Sequence, residues 1–135
     1  MPILILLVAA IVQAGATAQN PKEVLGIWRG SSICADRKVA PACNDEEAVY
    51  EFKPGPRPGV LRWIADKMVN GQRDNMGEAE ATYDIAEHCW KAEIKSSRAT
   101  SVWRFVVSGN DMTGTSRLLP GNETVRKFTL KRADK

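Results

Sequence analysis

Apolar and polar residues alternate in short runs along most of the chain, and turn residues separate the runs. In the run 89–95, for example, Trp90, Ala92 and Ile94 alternate with charged residues. Such period-two alternation is typical of β-strands that turn one face to a core. The pattern predicts eight strands, at residues 25–33, 47–53, 60–69, 76–83, 89–95, 101–107, 111–118 and 124–132.

Short connections rich in glycine, proline and asparagine join these runs. Asn70-Gly71 and Gly109-Asn110 are turn signals, because both residue types tolerate positive φ. Residues 54–59 are proline-rich and are interpreted as a loop, and the polar residues 72–75 as a loop or irregular edge. Short connections favour a meander, so the predicted fold class is all-β: a single eight-stranded antiparallel up-and-down β-barrel. A two-sheet sandwich is the alternative.

The N-terminal segment has the features of a secretory signal peptide. Residues 3–12 form an uncharged apolar run that is too short to span a bilayer, and Ala16-Thr17-Ala18 follows. We therefore expect a signal peptide at 1–18 and one domain at 19–135. The protein is then exported, to the periplasm or out of the cell, and no membrane span is predicted.

The chain has three cysteines and a formal net charge of +3. An oxidising compartment favours a disulfide, and we expect Cys34–Cys43 to close the loop after the first strand. Cys89 is then free, although its pairing with either of the others stays open. The spacings fit no metal module and His88 is the only histidine, so no metal or cofactor is predicted. Basic residues are scattered among acidic ones, which argues against nucleic-acid binding.

Nearly every predicted strand carries an aromatic residue on the face that alternation assigns to the interior. Small residues such as Gly77, Ala79 and Gly114 share that face. In one interpretation the rings fill the barrel and make a solid core. In the other, the small residues line a hollow and the rings form the walls of an apolar pocket. The second interpretation predicts a ligand site formed by Tyr50, Phe52, Trp63, Tyr83, Trp90, Trp103 and Phe105.

The tripeptide Gly26-Ile27-Trp28 opens the first strand, and the last strand is basic. With the eight-strand meander, these features resemble the lipocalin-like (calycin) barrels of exported bacterial proteins, an uncharacterised group. The resemblance extends over the chain after residue 18 and includes segments 66–71 and 112–115. It implies that Trp28 closes one end of the barrel and that Arg126 or Arg132 stacks across it. A cation over an indole face contributes about 0.5–2 kcal/mol.

The sequence offers little for catalysis. His88 and Cys89 are adjacent, so on a strand their side chains would point to opposite faces, and no serine lies in a nucleophile elbow. We therefore expect no enzyme, but an exported barrel that binds a small apolar or amphipathic ligand. The alternative is a solid-cored barrel that acts through its loops as a protein-interaction or hydrolase-inhibitor module. Its candidate surfaces are the loop between Cys34 and Cys43, the acidic residues 45–47, and the loop 54–59.

Overall fold

The computed structural model describes residues 17–134. A short 3-10 helix at Pro21–Glu23 precedes the strands, and the side chain of Asn20 caps it by accepting a hydrogen bond from the Lys22 amide. The strands are β1 (Gly26–Cys34), β2 (Glu46–Pro54), β3 (Leu61–Val69), β4 (Gln72–Asp84), β5 (Cys89–Lys95), β6 (Thr100–Ser108), β7 (Asp111–Leu119) and β8 (Glu123–Arg132).

The eight strands form one closed antiparallel barrel in which each strand pairs with its neighbour in sequence. β1 also pairs with β8, so Gly30 lies between Ala48 on one side and Leu130 on the other. Closure of the sheet removes the two edges that an open meander would leave unpaired. The predicted fold class is confirmed, and the sandwich alternative is wrong.

The main difference from the predicted strands lies in β4, which begins at Gln72 rather than at residue 76. The turn at Asn70 and Gly71 folds residues 72–75 back onto the end of β3, with Val69 opposite Gln72. This part of β4 is exposed, so it needs no apolar alternation. Asp66 anchors it by accepting hydrogen bonds from Arg73 at 2.9 Å and Asn75 at 2.8 Å.

Most of the predicted signal peptide lies outside the residues that the structure describes, and its cleavage after Ala18 stays a prediction. Within residues 17–134, no helix has the length and apolar character needed to cross a bilayer.

The core fills the interior of the barrel, and the strand faces predicted from alternation turn inward. Trp28, Trp63 and Trp90 are almost fully buried, and so are Tyr50 and Phe105. Smaller inward residues, among them Ala48, Ala65 and Ala81, are also buried between these rings. A single cluster therefore runs from one end of the barrel to the other.

The barrel wall has one weakly paired place, between β4 and β5. These strands pair only from Ala81 opposite Ala92 to Asp84 opposite Cys89. Residues 72–80 of β4 pair with β3 alone, and residues 93–95 of β5 pair with β6 alone. We call the gap between these two segments the seam.

Candidate functional site

The end of the barrel where β1 begins is closed by Trp28, and we call it the Trp28 end. The indole nitrogen of Trp28 donates a 2.9 Å hydrogen bond to the carbonyl of Val24. Arg132 lies over the ring, with its guanidinium carbon 4.3 Å from the ring centroid. The same guanidinium donates to the carbonyls of Leu25 and Glu23, both at 2.6 Å. Arg132 therefore fastens the segment before β1 across this end.

The other arginine that the resemblance singled out, Arg126, lies near the opposite end, which we call the disulfide end. Its guanidinium donates to the carbonyl and hydroxyl oxygens of Ser32, both at 3.1 Å, and to the carbonyl of Asn44 at 3.0 Å. It also lies 3.5 Å from the carboxylate of Glu46. Of the two candidates, Arg132 stacks on Trp28, while Arg126 joins β8 to β1 and to the start of β2.

Cys34 and Cys43 form the disulfide that the sequence predicts, and Cys89 is free and buried. The Cys43 sulfur also lies 3.1 Å from the Arg126 guanidinium. Asp45 accepts a 2.8 Å hydrogen bond from the backbone amide of Cys34. The disulfide loop is therefore bound to β1 and β8 at the disulfide end.

Six aromatic side chains meet in the middle of the barrel, and we call them the ring cluster. Tyr50 of β2 contacts Phe105 of β6 at a centroid distance of 6.3 Å and Phe128 of β8 at 5.5 Å. Rings from opposite walls therefore touch across the interior. Most contacts are edge-to-face or tilted, as aromatic pairs prefer. The cluster consists of Tyr50, Phe52, Trp63, Trp103, Phe105 and Phe128.

The small inward residues of β1 and β7 make room for neighbouring groups rather than for a hollow. A Cβ added at Gly114 would overlap the backbone carbonyl oxygen of Arg104 and the ring of Phe128, its register partner on β8. A Cβ added at Gly30 would overlap the backbone of Thr129 and Leu130 in the neighbouring strand β8. The contact of Gly114 with the Phe128 ring supports the solid-core interpretation for this part of the barrel, whereas the contact at Gly30 is with the backbone of the wall.

Five of the seven predicted ligand-site residues belong to the ring cluster, and two do not. Tyr83 and Trp90 form a separate pair with a centroid distance of 5.4 Å. The indole nitrogen of Trp90 donates to the side chain of Gln19, whose amide donates in turn to the carbonyl of Val107. These contacts place Trp90 at the Trp28 end, so the structure does not bring all seven residues together.

Trp63 and Trp103 lie behind the seam. Trp63 is the register partner of Ala79 in β4, and Trp103 is the partner of Ala92 in β5. The two indole rings meet at 5.0 Å, and Trp103 is the most exposed of the four tryptophans at 9%. Ala79 and Ile94, which flank the seam, are only partly buried. The seam is thus an apolar gap in the wall with two indoles behind it.

Some buried polar atoms in and beside the ring cluster have no hydrogen-bond partner. Within the described residues, the indole nitrogen of Trp63, the hydroxyl of Tyr50 and one carboxylate oxygen of Glu46 make no hydrogen bond. The Tyr50 hydroxyl lies near Ser32, and burial raises the pKa of this phenol well above its ordinary value. An unpaired buried polar atom costs free energy, so each is a place where water or a ligand atom would be stabilised.

An ion-pair network covers the outer face near the turn between β4 and β5. Lys91 contacts Asp84 at 3.2 Å and Glu87 at 3.1 Å, and Arg104 contacts Glu87 at 2.9 Å. The hydrogen bond from Arg104 lowers the pKa of Glu87, with Lys91 adding to the effect. Burial raises the pKa of the Cys89 thiol, and such a thiol is a poor nucleophile at neutral pH.

The predicted ligand site does not include three residues of this region. Phe128 belongs to the ring cluster, and Ala79 and Ile94 flank the seam. Alternation in β8 turns Phe128 inward, and this is the sequence signal for its place in the ring cluster. The seam exists because part of β4 and part of β5 do not pair with each other. Alternation within a single strand carries no information about pairing between strands. Within residues 17–134, no three His, Cys, Asp or Glu side chains are grouped as metal ligands.

Comparison with known proteins shows the fold and no closer relationship. No protein-family model matches the chain, and no curated protein matches it. Among solved structures, fatty-acid-binding protein 1 of Echinococcus granulosus matches with a TM-score of 0.53 and 13% identity, over 83% of this chain and 98% of that one. Apo lipid binding protein 8 of Caenorhabditis elegans matches with a TM-score of 0.46 and 10% identity, over 92% and 100%. At this identity the first match shows a shared barrel fold and nothing finer.

Proposed function

We propose that the protein binds a small apolar or amphipathic molecule at the seam, against Trp63 and Trp103. The observation that carries this proposal is the apolar gap between β4 and β5, backed by two indoles in contact at 5.0 Å. Ala79 and Ile94, which flank the gap, are only partly buried, so a ligand enters here with less displacement of the core than elsewhere in the wall.

The site lies at the wall because the ring cluster occupies the interior. Tyr50, Phe52 and Phe105 have at most 1% of their surface exposed and touch one another or their neighbours across the barrel. A ligand in the centre would have to separate these rings. In this proposal they form the rigid back of the site. Trp103 is the accessible contact, and Trp63, which is fully buried in the free protein, is reached only when the strands separate at Ala79 and Ile94.

The unpaired indole nitrogen of Trp63 favours an amphipathic ligand. Its N–H is a donor only, so it pairs with an acceptor such as a hydroxyl or carbonyl oxygen. A ligand with an apolar body and one such acceptor would satisfy the indole and cover the apolar gap. Pockets with mainly apolar walls and a few polar groups are typical of small-molecule sites.

Intrinsic tryptophan fluorescence tests the proposal. The protein is titrated with a panel of fatty acids, fatty alcohols and small aromatic compounds, and the emission shift gives the affinity for each. The variant Trp103→Phe should weaken binding about tenfold, because it removes a contact at the site. The matched variant Trp90→Phe changes an indole at the Trp28 end and should leave affinity unchanged. No response to any compound, and no ligand in native mass spectra of the purified protein, would contradict the proposal.

A protein-interaction module is the second candidate function, and the filled interior favours it. A barrel whose rings pack from wall to wall needs no internal ligand. A partner protein would then bind to its loops. The disulfide loop, held by Arg126 and Asp45, and the proline-rich loop 54–59 are the surfaces for such a partner, including a hydrolase. Recovery of one stoichiometric partner from the exported fraction, with no co-purifying small molecule, would favour this candidate over the first.

Both candidate functions are binding functions, and we propose no catalytic role. The Cys34–Cys43 disulfide fits an oxidising compartment, and we propose export to the periplasm or beyond the cell. Mass spectrometry of the protein from its native host tests the export proposal. An N-terminus at Gln19 in the exported fraction is expected, and an uncleaved chain retained in the cytoplasm would refute it.

A further inference from the structure

The side chain of Gln19 fastens the start of the described chain to the Trp28 end. Its carbonyl oxygen accepts a 2.9 Å hydrogen bond from the indole nitrogen of Trp90. Its amide nitrogen donates to the carbonyl of Val107 at 3.0 Å and to the carboxylate of Glu23 at 2.9 Å. A primary amide has two N–H donors and an acceptor oxygen, so both of its polar atoms are engaged. The indole of Trp90 is only 1% exposed, and Gln19 supplies the partner for its single donor.

Gln19 is also the residue that the proposed cleavage after Ala18 makes the first of the exported chain. An N-terminal glutamine has a nucleophilic α-amine and a primary amide on the same residue. The amine nitrogen can attack the side-chain carbonyl carbon Cδ, which forms an N–Cδ bond and closes a lactam ring. The bond from Cδ to Nε2 breaks, and Nε2 leaves as ammonia with a proton from the amine. The product is pyroglutamate, and no oxidant or reductant takes part.

We propose, on the basis of that cleavage, that Gln19 is a modification site which the fold guards. Cyclisation to pyroglutamate is slow while the side chain is bound at the Trp28 end and fast once it is free. The lactam has lost Nε2, so the bonds to Val107 and Glu23 disappear together. The remaining carbonyl moves with Cδ onto the α-nitrogen and away from Trp90. Because ammonia is lost, cyclisation detaches the first residue from the barrel in one direction only.

The three hydrogen bonds oppose the reaction at both of its bond changes. Cδ has to move to the α-nitrogen, which breaks the bond from Trp90 to the carbonyl oxygen. Nε2 has to leave, which breaks the bonds to Val107 and Glu23. Arg132 holds the backbone carbonyl of Glu23 independently of Gln19. Cyclisation therefore releases the first residue while the rest of the segment before β1 stays closed over the barrel end.

A chain that begins at Gln19 with a free α-amine tests the inference, because it contains every helix and strand that the structure describes. The unguarded reference is a synthetic peptide of residues 19–25 at the same pH and temperature. Mass spectrometry follows the loss of one ammonia and locates it in the N-terminal peptide. The folded protein should cyclise about tenfold more slowly than the peptide. The same chain with Ala18 left in front has no α-amine on Gln19 and should lose no ammonia there.

Variants separate the hydrogen bonds from the fold as a whole. Trp90→Phe removes the indole donor and should speed cyclisation in the folded protein about fivefold. Its control is Trp103→Phe, which changes an indole of the ring cluster and should leave the rate unchanged. Glu23→Ala removes an exposed acceptor without altering the core and should speed cyclisation about twofold. Its control is Lys22→Ala, in the same helical turn, whose side chain makes no hydrogen bond to any described residue.

The indole N–H signals give a second readout of detachment. After cyclisation the NMR signal of Trp90 should shift, because its acceptor has gone, while that of Trp28, bonded to Val24, should not. Equal rates for the folded protein and the peptide would overturn the inference, and so would an unchanged Trp90 signal. These measurements use a defined N-terminus, so their outcome does not depend on export. An exported chain that begins at another residue would instead refute the cleavage, and with it the natural site.

Discussion

Arg132 lies over the indole of Trp28, its guanidinium carbon 4.3 Å from the ring centroid, and the two residues are register partners on β8 and β1. The pair joins the last strand to the first at the place where the barrel closes. Because Arg132 also holds the carbonyls of Glu23 and Leu25, it links the closure to the segment before β1. This end of the barrel is therefore a structural closure and not a route to the interior.

Replacement of Arg132 by lysine should destabilise the barrel by about 1–3 kcal/mol. Lysine keeps the charge but loses the planar fork that reaches both carbonyls and stacks on the ring. Urea unfolding followed by circular dichroism measures the loss. Lys131→Met is the control, because that neighbouring side chain is 80% exposed and should matter little. An unchanged midpoint for the Arg132 variant would refute the closure role.

Replacement of Gly114 by alanine should destabilise the protein by about 1–3 kcal/mol, because the added methyl group overlaps the Arg104 carbonyl oxygen in β6 and the ring of Phe128. Gly121→Ala is a matched control. The added Cβ there meets only the flexible carboxylate end of Glu123, which can move away. Thermal unfolding of the two variants should differ clearly. Equal stability would mean that both the β6 backbone at Arg104 and the Phe128 ring yield easily, and would contradict close packing at this place in the barrel.

Alkaline pH should destabilise the protein through Tyr50. Burial raises the pKa of this phenol above the ordinary value of 10.0, so the native state holds its proton more tightly than the unfolded state. The stabilisation is complete below about pH 10 and is lost as the pH rises further. Tyr50→Phe has no such proton, so its stability should fall less as the pH rises above about 10. Parallel pH profiles for both proteins would contradict this role.

Acid should weaken the outer network through Glu87. Arg104 and then Lys91 lower the pKa of this carboxyl, so its contribution is present above its ordinary range and is lost as the pH falls. The variant Glu87→Gln should be less stable than the native protein near neutral pH and equally stable near pH 2. Glu93→Gln, which removes a carboxylate without an ion pair, serves as the control. A deficit that persists unchanged at low pH would show that Glu87 acts by packing instead.

Period-two alternation was enough to predict the eight strands, because each strand turns one face to a common core. The first four residues of β4 were the exception. Residues 72–75 extend past the barrel rim, where both faces are solvated and no alternation is imposed. Their pairing is instead set by the turn at Asn70 and Gly71, with Asp66 as the anchor.

The candidate site was only partly predictable, because its definition depends on contacts between strands distant in sequence. Alternation places Trp63 and Trp90 on the same inner face, but only the strand stagger puts Trp63 in the ring cluster and Trp90 at the Trp28 end. The sequence also left hollow and filled interiors equally open. The contact of Gly114 with the Phe128 ring distinguishes them locally.

The most direct test of the account follows the indole N–H signals of the four tryptophans by nitrogen-15 NMR during titration with a medium-chain fatty alcohol. Trp28 and Trp90 donate to Val24 and Gln19 at the Trp28 end, Trp103 donates to Ser101, and the Trp63 nitrogen has no described partner. The account predicts saturable shifts for Trp63 and Trp103, with Trp28 and Trp90 unchanged. Shifts centred on Trp28 and Trp90 would contradict a ligand site at the seam. So would the absence of any shift with the fatty alcohol and with every compound of the panel used for the fluorescence titration.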